Sequence, residues 1–260
     1  MRIGKQDAPF TSICTSDADS ITVRGLDLCE DIIGKIDFTS YFWMLVTGTL
    51  PTPKQLFFCN AVLAAIAEHG LVPSVIASRM TYAAAPEAFQ GAVAAGLLGC
   101  GSVVLGSAEV AGRFYAECVE LANRPEASAT SVAKAGILAL RAEKMPIPGF
   151  GHPQHSDGDP RANLLLRLAD EHQIVGKHIE MLYTIRDVLP DAIGRPLPIN
   201  VNGAIPAVML DVGFPLTALK GISLLARTAS IIGHLHEETE RPIGFIMSGA
   251  AAEKIEFVAS

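Results

Sequence analysis

Apolar residues recur at helical spacing along almost the whole chain, and stretches rich in glycine and proline interrupt them. This pattern restricts the fold to packed helices joined by loops. Phe42, Leu45 and Val46 form one such run, and Leu56, Cys59, Val62, Leu63 and Ile66 form another. Breakers mark the ends: Thr52-Pro53 precedes a helix over 54–68, Gly70 follows it, and Pro86 lies near the start of the next. Further helices are predicted over 108–122, 131–143, 160–172, 176–188, 204–211 and 215–238. The fold class expected is therefore all-α. Three joints, 99–107, 145–159 and 189–203, are where loops can present backbone and side chains to a ligand. The residues between the first and third joints are enough for a smaller domain.

With 260 residues, half of them hydrophobic, a sizeable core can be buried. Only 18% are charged and the net charge is -7, which excludes a general polyanion-binding surface and so a nucleic-acid partner. An anionic ligand must then be met by a few placed cations. The cysteines, Cys14, Cys29, Cys59, Cys100 and Cys118, show no CxxC pair and no histidine at a metal-ligand interval, so no metal is expected. The first residues lack the apolar run of a signal peptide, and reduced thiols suit a cytoplasmic location. The stretch 88–108 carries no charge and is long enough for a membrane span. Its five glycines, Gln90, and the flanking Glu87 and Glu109 favour a tightly packed internal helix followed by a loop, with no membrane partner.

The most distinctive segment runs Pro148-Gly149-Phe150-Gly151-His152-Pro153-Gln154-His155, then Asp157-Gly158-Asp159-Pro160-Arg161-Ala162. Its glycines permit close backbone approach to a ligand, an imidazole at His152 exchanges protons near neutral pH, and Arg161 offers a planar fork to a carboxylate. A dicarboxylate pocket fits this pattern. So does a surface turn in which Asp159 caps the next helix, Pro160 takes its first position and Arg161 is solvated.

Gly-Phe-Gly-His followed by Asp-Pro-Arg resembles a signature of the citrate-synthase superfamily, which includes citrate synthases, citryl-CoA lyases and the citryl-CoA-cleaving module of ATP-citrate lyase. Other stretches resemble that family in the same order. They are Arg24-Gly25-Leu26-Asp27, Gly48-Thr49-Leu50-Pro51-Thr52, Ala67-Glu68-His69-Gly70, and Ala226-Arg227-Thr228-Ala229-Ser230-Ile231-Ile232-Gly233-His234. The resemblance covers the chain from about Arg24 to Arg241.

It implies a large helical domain from 1–107 with 213–260, a smaller helical domain at 108–212 that closes over substrate, and a homodimer or higher homo-oligomer with 88–108 buried. It further implies His69 and His152 as catalytic imidazoles, Arg161 and Arg227 as carboxylate-binding arginines, and Gly149, Phe150 and Gly151 as the stretch against a coenzyme A thioester. That thioester is a substrate, with no permanently bound cofactor. Taken without the resemblance, His69 reads as a helix-end histidine, Arg227 as a partner of Glu237 or Glu238, and His155, His172, His178, His234 and His236 as structural or solvated.

Two positions depart from the synthase pattern. Leu105 stands where synthases carry a histidine, as in the lyase module of ATP-citrate lyase, which favours cleavage. Asn202, in Asn200-Val201-Asn202-Gly203, stands where the family carries the aspartate that moves a proton on the acetyl-CoA methyl. An amide holds a hydrogen bond but accepts no proton near neutral pH. Glu109 and Asp211 are candidates to substitute for it.

The function expected is cleavage of a citryl-CoA-like acyl-CoA to acetyl-CoA and oxaloacetate. The alternatives are a non-catalytic acyl-CoA and dicarboxylate binder, or a lyase or synthase for another 3-hydroxy-acyl-CoA.

Overall fold

The computed structural model describes residues 9–103, 105–151 and 158–258, so His152, Pro153, Gln154, His155 and Asp157 lie outside the described residues. Helices dominate, as the periodicity requires. Contacts within the chain define two compact units, one up to Asn60 and one from Ala61 onward.

The first unit opens with a three-stranded antiparallel ribbon, β1 (Cys14–Ser16), β2 (Ile21–Val23) and β3 (Leu26–Asp27). Strands this short carry no readable alternation, which is why periodicity does not disclose them. Arg24 and Gly25 both take positive φ, 51° and 86°, the conformation that lets a two-residue turn follow the twist of a hairpin. Arg24 then donates from Nε and Nη2 to the Leu45 carbonyl in the last turn of α1 (Phe38–Thr47), and from Nη1 to Ser12 Oγ. Asp27 caps a π-helical turn, Leu28–Ile32, by accepting from the amides of Cys29 and Glu30. The Arg24-to-Asp27 motif thus builds a turn, caps two helix ends, and buries Val23, Ile32 and Met44 together. α2 (Pro53–Ala67) starts on a reciprocal Thr52–Gln55 cap and runs into the second unit.

In the second unit, α3 (Pro73–Ala84) packs against α4 (Phe89–Leu98), and both contact the long α10 (Leu219–Glu240), while α11 (Gly244–Lys254) lies on α3. α4 is ten residues long, too short to cross a bilayer, so the uncharged stretch 88–108 is not one helix. Gly96 lets it approach closely: a Cβ there would lie 2.7 Å from both Ile231 Cδ1 and the Ser74 carbonyl oxygen. Of the described helices, α10 with the turn before it is long and apolar enough for a span by composition, yet it carries Lys220, Arg227 and His234.

The remaining helices are α5 (Ser107–Ala122), α6 (Ala129–Ala142), α7 (Pro160–Glu171), α8 (Lys177–Ile193) and α9 (Val201–Asp211). α9 contacts α5, α7 and α8 and is buried on nearly every side, so it shows no amphipathic stripe. α8 continues past the predicted end at 188 and through Pro190, stopping at Gly194 with φ 76°. Proline there removes one backbone hydrogen bond, and burial of Val188 and Leu189 offsets the loss. α9 begins three residues earlier than predicted because Asn200 caps it, accepting from the Gly203 amide.

One buried ion pair fixes α10 to α3 and α11. Arg79, on α3, donates from Nε to Glu238 at 2.5 Å and from Nη1 to Glu237 at 2.9 Å. The other Glu238 oxygen accepts the amides of Ile243 and Gly244, where α11 begins. Arg79→Met should leave the Glu238 carboxylate buried without its cation and lower stability by about 3–5 kcal/mol in urea unfolding. A change under about 1 kcal/mol would show that this pair does not hold the helices.

Candidate active site

The site is built outward from the start of α9. Asn200 accepts from Gly203 within its own helix, and its backbone amide donates to the Gly149 carbonyl at 3.0 Å. Its Nδ2 donates to the Gly151 carbonyl at 2.6 Å, the Gly151 amide donates to Pro198, and Phe150 forms an antiparallel bridge with Ile199. The segment 149–151 is therefore laid along the residues entering α9. Gly149, at φ +85°, has room for nothing larger: a Cβ would collide with the Tyr115 hydroxyl and come 2.7 Å from Gly203 Cα. Tyr115 is fully buried, its hydroxyl donates to the Pro148 carbonyl at 3.3 Å, and burial pushes its phenol well above the ordinary range.

Asp159 joins this assembly to Arg161. It is fully buried, caps α7 by accepting the Arg161 amide, and binds the Arg161 guanidinium through two bonds, from Nε at 3.0 Å and from Nη2 at 2.9 Å. It also accepts the Val201 amide at 2.9 Å. The capping expected of Asp159 and Pro160 is present, but Arg161 is not solvated. Its side chain is 22% exposed and is held in a fixed orientation. Burial acts to raise the Asp159 carboxyl, and the Arg161 bonds with the Val201 amide outweigh it, so the group ionises below its ordinary range.

Asn202 follows Val201 in the first turn of α9, and its Oδ1 is buried without a hydrogen-bond partner among the described residues. Pro206 has no N–H to offer the Asn202 carbonyl one turn earlier, so that oxygen too loses its helical donor. Two acceptors of one residue are thus released near the 149–151 segment.

Arg227, on α10, is 3% exposed. It does not pair with Glu237 or Glu238, because Arg79 takes both. Nη2 reaches the Ile66 carbonyl at 3.5 Å, the long limit of a hydrogen bond, while Nε and Nη1 are buried with no partner among the described residues. Burial depresses its pKa, the negative charge of Glu68 opposes that, and the Arg161 charge is near enough to depress it further. Cys100 lies in the same surroundings. Burial raises its thiol pKa against the pull of Arg227 and Lys220. Arg227 thus lies within the electrostatic reach of Arg161 and of Glu68, and forms no ion pair with Glu68 among the described residues.

His69 stands just beyond α2, three residues after Ile66, and is half-buried. Its amide and that of Gly70 donate to Glu68 Oε1, at 2.8 and 2.6 Å. The other Glu68 oxygen accepts from Ser230 Oγ at 2.6 Å and from His234 Nε2 at 3.0 Å, both on α10. The turn that carries His69 is thereby tied to the middle of α10, the stretch that also carries Arg227. Glu68, Ser230 and His234 are not among the residues expected at the site. Their signal is in the sequence, since Arg227, Ser230 and His234 recur at i, i+3 and i+7 on one helical face.

The two carboxylates named as candidate bases, Asp211 and Glu109, both have partners. Asp211 accepts the amides of Gly176, His178 and Ile179 and contacts His178 Nδ1 at 2.8 Å, so its carboxylate caps α8. Glu109 pairs with Arg113 at 2.6 Å one turn away. Among the described residues no group of three His, Cys, Asp or Glu side chains is placed to hold a metal ion.

The Asp159 network makes a prediction for acid. A carboxyl depressed by folding contributes stability that is fully present above its unfolded pKa and is lost as pH falls through its folded value. The wild type should lose urea resistance as pH drops below about 4, and Asp159→Asn should be less stable at neutral pH with a flatter acid profile. Parallel profiles for the two proteins would contradict this coupling.

Residues 57–244 match the family described as citrate synthase, C-terminal domain. Citrate synthase 2 of Bacillus subtilis (strain 168) is 26% identical over 200 residues, covering 76% of this chain and 51% of that protein. The chain spans about half the length of that curated relative. The structure of citryl-CoA lyase from Hydrogenobacter thermophilus superposes with a TM-score of 0.84 at 28% identity, over 100% of this chain and 96% of that one. ATP citrate lyase from Methanothrix soehngenii, solved in complex with citrate and coenzyme A, shares the fold. Its TM-score is 0.77 at 20% identity, covering 99% of this chain and 43% of that one. The family match takes in the helices that carry Arg161, Asn202 and Arg227, and on that match this chain belongs to the citrate synthase family.

Proposed function

We propose that the protein cleaves citryl-CoA, or a closely similar acyl-CoA, to acetyl-CoA and oxaloacetate. The observation that carries this reading is the buried Arg227 guanidinium, whose Nε and Nη1 have no partner among the described residues. Leaving a charge buried without a partner is costly, and a small polyanion bound at Arg227 removes that cost, while Arg161, already oriented by Asp159, adds a second positive charge. The likeness to a citryl-CoA lyase over almost the full length of both chains favours that substrate class.

In this mechanism Arg161 and Arg227 hold the carboxylates of the citryl group by charge-assisted, fork-like bonds. His152 takes the proton of the tertiary hydroxyl, and the adjacent carbon–carbon bond breaks as that oxygen becomes the ketone of oxaloacetate. The bonding pair passes to the thioester enolate, whose oxygen charge His69 stabilises, and protonation of its carbon gives acetyl-CoA. Asn202 takes no part in proton transfer. It holds a hydrogen bond at the place where relatives keep a carboxylate, and water delivers the proton to the enolate. The 149–151 segment lies against the coenzyme A thioester, and residues 108–212 form the smaller domain that closes over it.

Purified protein supplied with citryl-CoA should release acetyl-CoA and oxaloacetate in equal amounts by chromatography. Arg227→Gln should lower kcat/KM by about 100-fold, the cost of one charge-assisted interaction of about 3 kcal/mol. If neither the wild type nor Asn202→Asp yields product, the lyase assignment is wrong. A second reading, a binder that retains the pocket without turnover, is motivated by Asn202. Calorimetric binding of oxaloacetate without cleavage by either protein would establish it, and turnover by the wild type would exclude it.

The working unit proposed is a homodimer. Leu98 and Val103 are 87% and 88% exposed, and Phe245 and Ile246 on α11 are 71% and 67% exposed, on elements linked through α3. Exposed apolar surface of this kind marks an association site. Sedimentation should give a dimer, converted to monomer by Leu98→Asp combined with Phe245→Asp, and a monomeric wild type would refute the assembly.

A further inference from the structure

We infer that Glu68 is a positioning residue, a two-sided carboxylate clamp that sets His69 against the helix bearing Arg227. The inference rests on the lyase reading above for its catalytic consequence, and on geometry for the clamp itself. Each Glu68 oxygen accepts two donors. Oε1 takes the amides of His69 and Gly70, which closes the turn on which His69 sits, with Gly70 at φ +72°. Oε2 takes Ser230 Oγ and His234 Nε2, one turn apart on α10. A ring nitrogen 3.0 Å from a carboxylate oxygen is the donor, so the His234 tautomer carries its proton on Nε2.

Arg227 is three residues before Ser230 on the same helical face, and its Nη2 reaches back to Ile66, two residues before Glu68. Helix end and α10 are thus tied at two successive points, one through Arg227 and one through Glu68. The Glu68 side chain is 52% exposed, so the individual contacts contribute little to global stability. Their effect is positional. Without the clamp the His69 turn loses its Glu68 tie to α10, and an error of about 1 Å in a catalytic group costs as much as 100-fold in rate. Burial acts to raise the Glu68 carboxyl, but the Ser230 hydroxyl, the two amides and neighbouring His234 hold it below its ordinary range, so it stays ionised as the clamp requires.

Glu68→Gln separates this role from a structural one. It retains an oxygen for the His69 and Gly70 amides, and presents an NH2 group where Ser230 and His234 need an acceptor. With citryl-CoA as substrate, kcat should fall about tenfold or more, with KM changed by less than about threefold and an unaltered urea midpoint. Because Glu68 acts through His69, adding Glu68→Gln to His69→Gln should produce no further loss. A fully active Glu68→Gln protein, or losses that multiply in the double variant, would overturn the assignment.

If neither the wild type nor Asn202→Asp cleaves citryl-CoA, the lyase reading fails and the clamp is decided by hydrogen exchange. The His69 and Gly70 amides should be protected in the wild type and exchange at least about tenfold faster in Glu68→Ala. Equal exchange would overturn the clamp.

Discussion

A guanidinium taken out of water must meet an anion or be paid for by the rest of the fold, and Arg227 meets none on two of its nitrogens. This unmatched charge is the constraint around which the second compact unit is organised. α10 cannot rotate to expose Arg227, because Arg79 holds the far end of that helix through Glu237 and Glu238 and because Ile231 and Leu235 are buried against Ala92 of α4. Glu237 and Glu238 are therefore committed to Arg79, and Nε and Nη1 of Arg227 are left without a partner among the described residues.

The other parts of the site are positioned by single atoms with several partners. Asp159 orients Arg161 and the first turn of α9 together, so a displacement of one must move the other. Gly149 and Gly203 approach so closely that neither tolerates a side chain, and this contact brings the 149–151 segment to the turn containing Asn202. Glu68 has the corresponding role on the far side of Arg227. The Asp159 and Glu68 devices use convergent polar groups, which fix geometry more sharply than apolar packing does, and the glycine contact adds a close backbone approach.

Helical period and breakers made most of the fold legible. The predicted helices 108–122 and 160–172 match α5 and α7 to within a residue, because Pro160 and the apolar stripes mark them without ambiguity. The ribbon around Arg24 was not legible, since its strands are two or three residues long and are organised by turn geometry and the Arg24 bonds. Within the site, Arg161 and Arg227 were recognised through family resemblance, but the partners of Arg227 were not. Pairing with Glu237 or Glu238 was the natural reading of residues ten and eleven apart in sequence, and the true partner of those carboxylates, Arg79, lies 158 and 159 residues away. The same separation concealed the Glu68 contacts to Ser230 and His234. Asp211 looked available as a base because its type was apparent and its three amide donors were not.

Asn202 gives the site its particular character, with a buried side-chain amide whose Oδ1 has no partner among the described residues. The central claim, that Arg161 and Arg227 together receive one small polyanion, is tested most directly by a crystal structure grown with oxaloacetate and an unreactive coenzyme A thioether. The account predicts carboxylate density against Nε and Nη1 of Arg227 and against the Arg161 guanidinium, with the thioether beside Gly149 to Gly151. Dicarboxylate bound elsewhere, or a crystal saturated with both compounds in which these two side chains touch neither, would contradict it.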